Sequence, residues 1–382
     1  MTTDVVLLSL EAWDDHWRRN QYLVTELLRA DPRARVLFVE PPADPVHEAR
    51  RGFRPRSGRG LQRLADRLWR YEPTKLLPRR VDRRTDERLA THTARAAHRL
   101  GMHAPVLWVN DPAGAAVVAA TGWPALYDVT DDWLVAERTD DELQRLRRDE
   151  EYLLAHCREV VVCSPGLARS KAGRAPVTLI SNGVDVERYR RPAPRPSDLP
   201  VAPTALYLGT VHRDRFDVDL LRATAHAVAG TGRVVVVGPV LDLTPTQVRG
   251  LRASGVLLLG RRPWHAVPGY LQHAGVLLVP HLVNDFTESL DPIKAYEYRA
   301  VGRPVVATPV AGFRDARDTR DTAVTVVDGA RFPEAVRRAL ADRAGGLDAP
   351  AELPADVPTW AGQARLMAAV LTRVRRPATT PR

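Results

Sequence analysis

The sequence of 382 residues contains only two cysteines, Cys157 and Cys163. Two thiols exclude a disulfide-rich scaffold, and by themselves they cannot form a structural zinc site. Cys157 lies at a predicted helix end and Cys163 in a predicted buried strand, so we expect two packed thiols rather than a disulfide.

Long apolar runs are also missing, so no segment is predicted to cross a membrane. The first apolar run has no basic residues before it and is followed at once by acidic residues and Trp13, which argues against a signal peptide. We therefore expect a cytoplasmic protein. With 45% hydrophobic and 27% charged residues, the composition is that of a globular protein and excludes a disordered or collagen-like chain.

The two common glycine-rich phosphate motifs, GxGxxG and GxxxxGKS/T, do not occur. Their absence argues against a Rossmann dehydrogenase and against a P-loop kinase.

The net excess of positive charge is confined to one region. The net charge is +10, and residues 50–99 contain sixteen Lys or Arg against five Asp or Glu. Within this region Leu61, Leu64, Leu68 and Trp69 recur at helical spacing, which predicts an amphipathic helix. Such a helix either contacts an anionic membrane, making the protein peripheral on the inner membrane face, or packs one face on the body of the protein. We expect no nucleic-acid partner, because aromatic residues for base stacking are few here.

Alternating strands and helices predict an α/β fold with two doubly wound, Rossmann-like domains facing a cleft. The first domain is expected over residues 1–189, a proline-rich linker over 190–203 and the second domain over 204–358. A final helix over 359–376 could pack back on the first domain. The predicted strands are 4–10, 35–40, 105–111, 124–130, 159–164 and 177–181 in the first domain, and 204–210, 233–238, 256–260, 276–280, 304–308 and 323–328 in the second.

The most informative segment is NDFTESLDPIKAYEYRAVGRPVVAT, residues 284–308. It predicts a helix that begins near Pro292 and ends at Gly302, followed by a buried strand. The N-terminus of such a helix binds phosphate oxygens, and Lys294 adds a positive charge there. Glu297, one turn further, could accept hydrogen bonds from a ribose diol.

Several motifs together carry a family resemblance: WDDHWRRNQYL (13–23), VLWVNDP (106–112), LYDVTDDW (126–133), LISNGVDVERY (179–189), YLGTVHRDRFD (207–217) and the segment 284–308. With these motifs the chain resembles the retaining family 4 glycosyltransferases of the GT-B fold. Within that family it is most similar to a bacterial subgroup related to teichuronic-acid and capsule glycosyltransferases.

The resemblance implies a donor site in the second domain. It places backbone donors to the donor β-phosphate at Ile293 and Lys294, and a ribose carboxylate at Glu297. The family has a second glutamate eight positions earlier, where this chain has Ser289. Glu288 or Asp291 could replace it.

Two further parts of the donor site follow from the resemblance. Gly209 matches a glycine turn from which a cationic residue, here Arg213 or Arg215, reaches the phosphates. Arg262 and Trp264 follow the strand where this fold holds the nucleotide base. Each of these side chains could instead be an ordinary surface or core residue.

In the first domain, Asp128, Asp131 and Asp132 lie at the predicted carboxyl end of a strand. Three carboxylates so close together are costly unless they are solvated, cap a helix or have a function, so we predict catalytic residues, with a turn and cap cluster as the alternative. The loop after the first strand contributes an aromatic, polar set as a candidate acceptor wall: Trp13, His16, Arg19 and Gln21.

The resemblance thus implies transfer of a sugar from a nucleotide diphosphate sugar, UDP- or GDP-linked, to a hydroxyl acceptor, with retention at the anomeric carbon and without metal or cofactor. An inverting reaction with an Asp base stays open. The acceptor is expected to be an envelope glycan, a lipid-linked sugar or a secondary metabolite. The alternatives are a sugar-nucleotide hydrolase or epimerase of similar fold, and a non-catalytic nucleotide-binding module.

Overall fold

The computed structural model describes residues 3–135, 138–173, 176–314, 323–342 and 356–376. These residues form two compact units. Unit 1 contains the described residues of 3–134, 138–181 and 360–376, and unit 2 contains Val135 and the described residues of 182–359.

Unit 1 alternates strands and helices for most of its length. Its elements are β1 (Thr3–Leu8), α1 (Arg19–Ala30), β2 (Ala34–Val39), α2 (Pro45–Arg50), β3 (Gly60–Ala65), β4 (Leu68–Glu72), α3 (Thr85–Arg99), β5 (Val106–Val109), α4 (Ala115–Thr121), β6 (Ala125–Val129), α5 (Asp140–His156), β7 (Glu159–Val162), α6 (Pro165–Ser170), β8 (Val177–Leu179) and the last helix of the chain, α14 (Trp360–Arg375).

The strands of unit 1 form one sheet in the order β3-β4-β2-β1-β5-β6-β7-β8. All neighbours are parallel except β3 and β4. The central strands are apolar on both faces because helices cover both sides, as a doubly wound sheet requires. Helix α5 begins at a capping box formed by Thr139 and Glu142.

The amphipathic helix predicted around residues 61–69 is wrong. The segment forms an antiparallel hairpin in which Leu61 pairs with Tyr71 and Arg63 with Trp69. The helical spacing of its leucines was misleading because β4 also joins β2, so its apolar residues are buried by sheet pairing. Arg67 caps the C-terminal turn of α1 by donating to the backbone oxygens of Leu28 and Asp31.

Unit 2 repeats the alternation. Its elements are α7 (Val186–Arg190), β9 (Thr204–Leu208), α8 (Val218–Ala227), β10 (Arg233–Val237), α9 (Pro245–Ala253), β11 (Leu257–Gly260), α10 (Val267–Gln272), β12 (Val276–Val279), α11 (Asp285–Ser289), α12 (Ile293–Val301), β13 (Val305–Ala307), β14 (Val324–Val326) and α13 (Phe332–Ala341). The strands form a parallel sheet in the order β11-β10-β9-β12-β13-β14. The prediction of two Rossmann-like α/β sheets is confirmed.

The two units differ from the expected domain limits at residues 182–189. A second segment, α14, joins unit 1 although it follows unit 2 in the sequence. Residues 182–189, which we assigned to the first domain, belong to unit 2, where Val184 and Tyr189 enter the apolar core. Helix α14 belongs to unit 1, where Trp360 stacks on Tyr22 at a centroid distance of 4.6 Å. Among the described residues, no helix combines the length and the apolar character needed to cross a bilayer.

Candidate functional site

Two glycines meet where β9 and β10 of unit 2 end. Gly209 has φ of 140°, a conformation that side chains rarely adopt, and its N–H donates to the oxygen of Val237. A Cβ on Gly238 would lie 2.0 Å from the Gly209 oxygen, and a Cβ on Gly209 would lie 3.0 Å from Lys294 Nζ. Glycine is therefore required at both positions, and it leaves the Lys294 ammonium open to this edge of the sheet.

Lys294, in the first turn of α12, points to the same edge. Its Nζ donates to the Tyr207 hydroxyl at 2.9 Å, lies 3.4 Å from His281 Nε2, and sits 4.0 Å from the centre of the Tyr207 ring. Burial, and secondly the charge of Arg215, lower the pKa of Lys294 to about 7, while Glu297 opposes the shift. Protonation of this amine is therefore costly in the free protein, because little inside the protein compensates its positive charge.

Tyr207 and His281 are site residues that sequence reasoning missed. The Tyr207 hydroxyl lies 3.2 Å from His281 Nε2, and both side chains are buried. Burial first, and then the charges of Lys294 and Arg215, lower the pKa of His281 well below its usual value, so its ring is neutral. The position of His281 could have been noticed because it directly follows a predicted strand, whereas Tyr207 lies inside one.

The start of α12 has the geometry that the sequence predicts. Pro292 is the N-cap and provides no side-chain hydrogen bond, and Gly302 ends the helix in the left-handed conformation with φ of 70°. Its first turn therefore presents backbone N–H groups, including that of Ile293, to the carboxyl edge of the sheet. Glu297 accepts a hydrogen bond from the Tyr189 hydroxyl at 2.5 Å. Burial raises the pKa of Glu297, although the Tyr189 bond opposes the shift.

Asp291 connects two motifs that are far apart in the sequence. Its carboxylate accepts from the Asn182 backbone N–H and from the Tyr296 hydroxyl, and the Asn182 side chain donates to the Asp291 backbone oxygen, all at 2.5 Å. The SNGVD and DPIK segments are thus held together by hydrogen bonds. Asp291 fixes the loop before α12.

The position of the family's first glutamate has no carboxylate. Ser289 is buried and donates to the Phe286 backbone oxygen at 2.7 Å. Glu288 points elsewhere and forms an ion pair with Arg314. Of the two residues that we considered as replacements, Glu288 pairs with Arg314 and Asp291 holds the loop.

The structure distinguishes the two candidate arginines after Gly209. Arg215 is half-buried, stacks on Phe286 with 4.9 Å to the ring centre, and its charge acts on Lys294 and His281. Arg213 is exposed, and its backbone N–H donates to Asp242. Arg215 is therefore the better candidate for a phosphate contact.

Arg262 and Trp264 follow β11 as expected. The Arg262 guanidinium donates to Asp198 and, at 3.0 Å, to the Tyr270 hydroxyl, which holds the loop to the rest of unit 2. The Arg188 guanidinium lies over the Trp264 ring, 3.1 Å from its centre. A contact of either residue with a base stays a prediction.

In unit 1, Asp128 is not at the end of its strand but inside β6, with no exposed surface. Its two oxygens accept from Arg19 at 3.2 Å and from the Trp108 indole at 2.9 Å. Arg19 is buried too and also donates to the Ser181 oxygen at 3.1 Å. Both groups are therefore buried and paired with each other, and a catalytic role for Asp128 and an acceptor contact for Arg19 stay predictions.

Asp131 and Asp132 follow β6 and have different surroundings. Asp132 accepts from Lys171 at 3.2 Å, and the buried Lys171 is also 2.5 Å from Glu150. Asp131 is half-buried and accepts from the Thr130 hydroxyl at 3.3 Å. Asp132 thus belongs to a buried ion network, and Asp131 is the more accessible candidate.

The loop after β1 adds Glu11, which sequence reasoning missed. Glu11 forms an ion pair of 3.2 Å with Arg18. Although 39% of its side chain is exposed, desolvation raises its pKa to about 7; Arg18 opposes the shift, and Asp131 and Asp14 add to it. The sequence could have indicated Glu11, because it directly precedes the aromatic loop that contains Trp13 and Trp17.

The remaining predicted acceptor residues lie in the same loop. Trp13 is half-buried, packs edge-on against Phe38 at a centroid distance of 5.0 Å, and its backbone N–H donates to the Glu40 carboxylate. His16 is half-buried, and its backbone N–H donates to Asp14. Gln21 is buried, and its side-chain oxygen accepts from the Arg18 backbone N–H at the cap of α1, so its contact with an acceptor stays a prediction.

The two edges can therefore do different chemistry. The edge of unit 2 concentrates positive charge and backbone N–H groups, which are groups able to bind phosphate oxygens and to stabilise a diphosphate leaving group. The edge of unit 1 has two carboxyl groups, Glu11 and Asp131, that could orient or deprotonate a hydroxyl. Among the described residues, no group of three His, Cys, Asp or Glu side chains is arranged to hold a metal ion.

Comparison with known proteins agrees with this arrangement. Residues 202–342 match the family described as Glycosyl transferases group 1. This range contains the glycine pair, Tyr207, His281 and all of α12. No curated protein matches the chain.

Solved structures resemble the chain over nearly its full length. Sucrose-phosphate synthase from Thermosynechococcus elongatus has a TM-score of 0.65 and 19% identity, covering 98% of this chain and 96% of that one. The α,α-trehalose 6-phosphate synthase from Burkholderia multivorans has a TM-score of 0.64 and 12% identity, covering 98% and 99%. Anabaena HepE in complex with UDP-glucose has a TM-score of 0.60 and 16% identity, covering 97% of each chain.

At these identities the structures show the fold, which is GT-B, and the family match provides the activity. The narrower likeness to the teichuronic-acid and capsule subgroup stays a prediction. The chain has the GT-B fold and is a glycosyltransferase, and its residues 202–342 are similar to the group 1 family.

Proposed function

We propose that the enzyme transfers a sugar from a UDP-linked donor to a hydroxyl acceptor, with retention at the anomeric carbon. The observation that carries the proposal is Lys294. Its ammonium group lies beside Gly209 and the first turn of α12, and no carboxylate is within ion-pair distance of it among the described residues. A buried cation of this kind is stabilised by an anion from outside, and a donor diphosphate supplies one.

The diphosphate is the leaving group of the transfer. Lys294, Arg215 and the backbone N–H groups at Ile293 and Lys294 stabilise the charge that develops on its oxygens when the sugar bond breaks. The choice of UDP is supported by likeness to Anabaena HepE, whose structure contains UDP-glucose. Glu297, held by Tyr189, accepts the ribose hydroxyls one helical turn away.

The acceptor interacts with unit 1 in this proposal. Asp131 and Glu11 orient the acceptor hydroxyl, and Trp13 and His16 provide apolar and polar surface beside them. Support for retention comes from the family resemblance, and the family match supports the activity. The acceptor class follows from the same resemblance: a hydroxyl on an envelope glycan, a lipid-linked sugar or a secondary metabolite.

The experiment is release of UDP from UDP-glucose, measured with and without a panel of hydroxyl acceptors. Acceptor-dependent release that Glu297→Gln reduces supports the proposal. Glu334→Gln is the matched control, since Glu334 is an exposed glutamate of unit 2 that pairs only with Arg337 and Arg338 in its described contacts. Release that is independent of acceptor indicates a hydrolase, and binding without release indicates a binding module; either result contradicts the proposal.

A further inference from the structure

The chain uses lysine very rarely. Of its 56 Lys and Arg residues, only Lys75, Lys171 and Lys294 are lysines. Lys171 pairs with two carboxylates and Lys75 with one, whereas Lys294 has none within ion-pair distance in the part of the chain that the structure describes. An amine can lose its proton at accessible pH and a guanidinium cannot, so a lysine at this position has a property that none of the many arginines shares.

The groups around Lys294 come from every element that packs against it. Tyr207 lies in β9, Arg215 in the segment that follows β9, His281 directly after β12, and Glu297 on α12 itself. Arg215 opposes a second positive charge. Glu297 favours one, but it lies beyond bonding distance and is hydrogen-bonded by Tyr189.

The hydrogen bonds of the Lys294 amine have a defined arrangement. Tyr207 offers a hydroxyl oxygen at 2.9 Å, and the neutral ring of His281 offers Nε2 at 3.4 Å. His281 is held in turn by Thr308, whose hydroxyl donates to the His281 backbone oxygen at 2.7 Å and accepts from its N–H. A protonated amine has three N–H donors, so one is left for a ligand on the side of Gly209.

We propose that Tyr207 and His281 are positioning residues that hold Lys294 as a proton acceptor, so that Lys294 Nζ takes up one proton from solvent when the diphosphate of the donor binds. The inference rests on the proposed function, since it assumes that a diphosphate binds here. The proton comes from the buffer, the amine becomes an ammonium ion, and its third N–H donates to a phosphate oxygen.

The electrostatics of the site agree with this proposal. Burial and Arg215 lower the pKa of Lys294 to about 7, so near neutral pH a large part of the free protein carries the neutral amine. A bound diphosphate brings negative charge beside Nζ, which favours the ammonium form and raises the pKa. Affinity for the donor should therefore fall with rising pH, by about tenfold per unit above the pKa of the free amine.

The first experiment is the NMR titration of the full chain containing isotope-labelled lysine, in which three Nζ signals are expected and Lys294→Arg identifies one of them. The Lys294 signal should titrate near the pKa of about 7. Tyr207→Phe removes a hydroxyl acceptor and should move the midpoint lower, and so should His281→Leu. His281→Gln restores an acceptor and should return it towards the wild type. If the Lys294 signal titrates at the pKa of an ordinary lysine and the variants do not move it, the proposed role of Tyr207 and His281 is overturned, and this test needs no ligand.

The second experiment is calorimetry with UDP-glucose in buffers of different ionisation enthalpy. UDP-glucose is a suitable probe because its diphosphate has no ionisation near neutral pH. We expect proton uptake above the midpoint, none well below it, and none in Lys294→Arg, which should still bind because arginine stays charged. Binding of UDP-glucose without proton uptake overturns this inference alone, whereas no binding at any pH overturns the proposed function as well.

Discussion

Units 1 and 2 each contain a lysine near the carboxyl edge of a parallel sheet, but its surroundings are opposite. Lys171 of unit 1 is buried between Asp132 and Glu150, whereas Lys294 of unit 2 faces Arg215, Tyr207 and His281. The first lysine completes an ion network inside the protein. The second has no carboxylate partner within ion-pair distance among the described residues, which is the arrangement expected where a substrate brings the negative charge.

The carboxyl edges of the two sheets also differ in the sign of the charge that their side chains carry. Near the edge of unit 1, burial, with the charges of Asp131 and Asp14 adding to it, raises the pKa of Glu11, and in unit 2 burial and the charge of Arg215 lower the pKa of Lys294. Two largely parallel sheets thus have acidic groups at the edge of unit 1 and basic groups at the edge of unit 2, because the loops that follow their strands differ.

The largest expected effect is on stability and concerns Lys171. Lys171→Met leaves Glu150 and Asp132 without their partner, so the free energy of unfolding should fall by about 3 to 5 kcal/mol. Lys294→Met should leave it unchanged or raise it in the absence of ligand, because an uncompensated cation is removed. Denaturant unfolding of the two variants and the wild type measures both free energies. Equal losses of unfolding free energy in the two variants would contradict the difference between the two lysines.

The next largest effect concerns turnover. Asp131→Asn should lower kcat by about a hundredfold with near-normal UDP-glucose affinity, as expected for a lost general base or a lost substrate contact. Asp132→Asn should mainly lower stability, since Asp132 accepts from Lys171. Steady-state rates with matched thermal melts separate the two effects. Full activity in both variants would make this loop a structural turn.

Donor binding should respond to unit 2 in turn. Lys294→Met and Glu297→Gln should each weaken UDP-glucose binding by about 1.5 to 3 kcal/mol, the loss of a hydrogen bond to a charged group, which is roughly ten- to hundredfold in Kd. Calorimetry measures the loss, with Glu334→Gln as the control. If Asp131→Asn weakens binding as much as these variants, the division of tasks between the units is wrong.

A smaller effect should appear in the pH dependence of stability. The pKa of Glu11 is raised to about 7 in the folded protein from an ordinary value of 4.5, so between these pH values the folded state binds more protons than the unfolded state. Its contribution to the free energy of unfolding therefore decreases as pH rises from 4.5 through 7. The melting temperature of Glu11→Gln should therefore rise relative to that of the wild type as pH increases over this range. A constant difference would show that Glu11 titrates normally.

The smallest effect concerns the basic surface of unit 1. Phe53, Leu76 and Val81 are exposed beside exposed arginines of residues 50–99, with 60%, 69% and 65% of their areas accessible. We expect weak co-sedimentation with vesicles of anionic lipid that is lost at high salt. Arg80→Glu with Arg83→Glu should abolish it, and the same exchange at Arg249 of α9 in unit 2 should not. No binding at low salt would direct the search for acceptors to soluble compounds.

Much of the fold was predictable because parallel strands buried on both faces are continuous apolar runs. DVVLL in β1 and RVVVV in β10 are such runs. The end of α12 was predictable because Gly302 is a typical residue at the C-terminus of a helix. The hairpin at residues 60–72 was not predictable from periodicity, since its leucines match helical spacing as well as strand pairing. A sheet partner distant in sequence decides between them.

The site divides in the same way. Lys294, Glu297 and Gly209 were predictable because they lie in dense motifs beside predicted strand ends. Buried polar partners such as Arg19 for Asp128, or Tyr207 for Lys294, were not, because such a pairing joins residues 109 or 87 positions apart. Asp128 resembled a surface carboxylate in the sequence for this reason.

The placement of α14 has a consequence for biosynthesis. Unit 1 begins the chain, yet its last helix follows all of unit 2, and residues Val184 and Thr359 at the two ends of unit 2 pair with each other. On the ribosome, unit 2 can fold as an inserted module before synthesis ends. The surface of α1 that contacts Trp360 stays uncovered until α14 has been synthesised. A stop codon before residue 360 should therefore damage the first half of the protein more than the second, although the second is nearer to the missing segment.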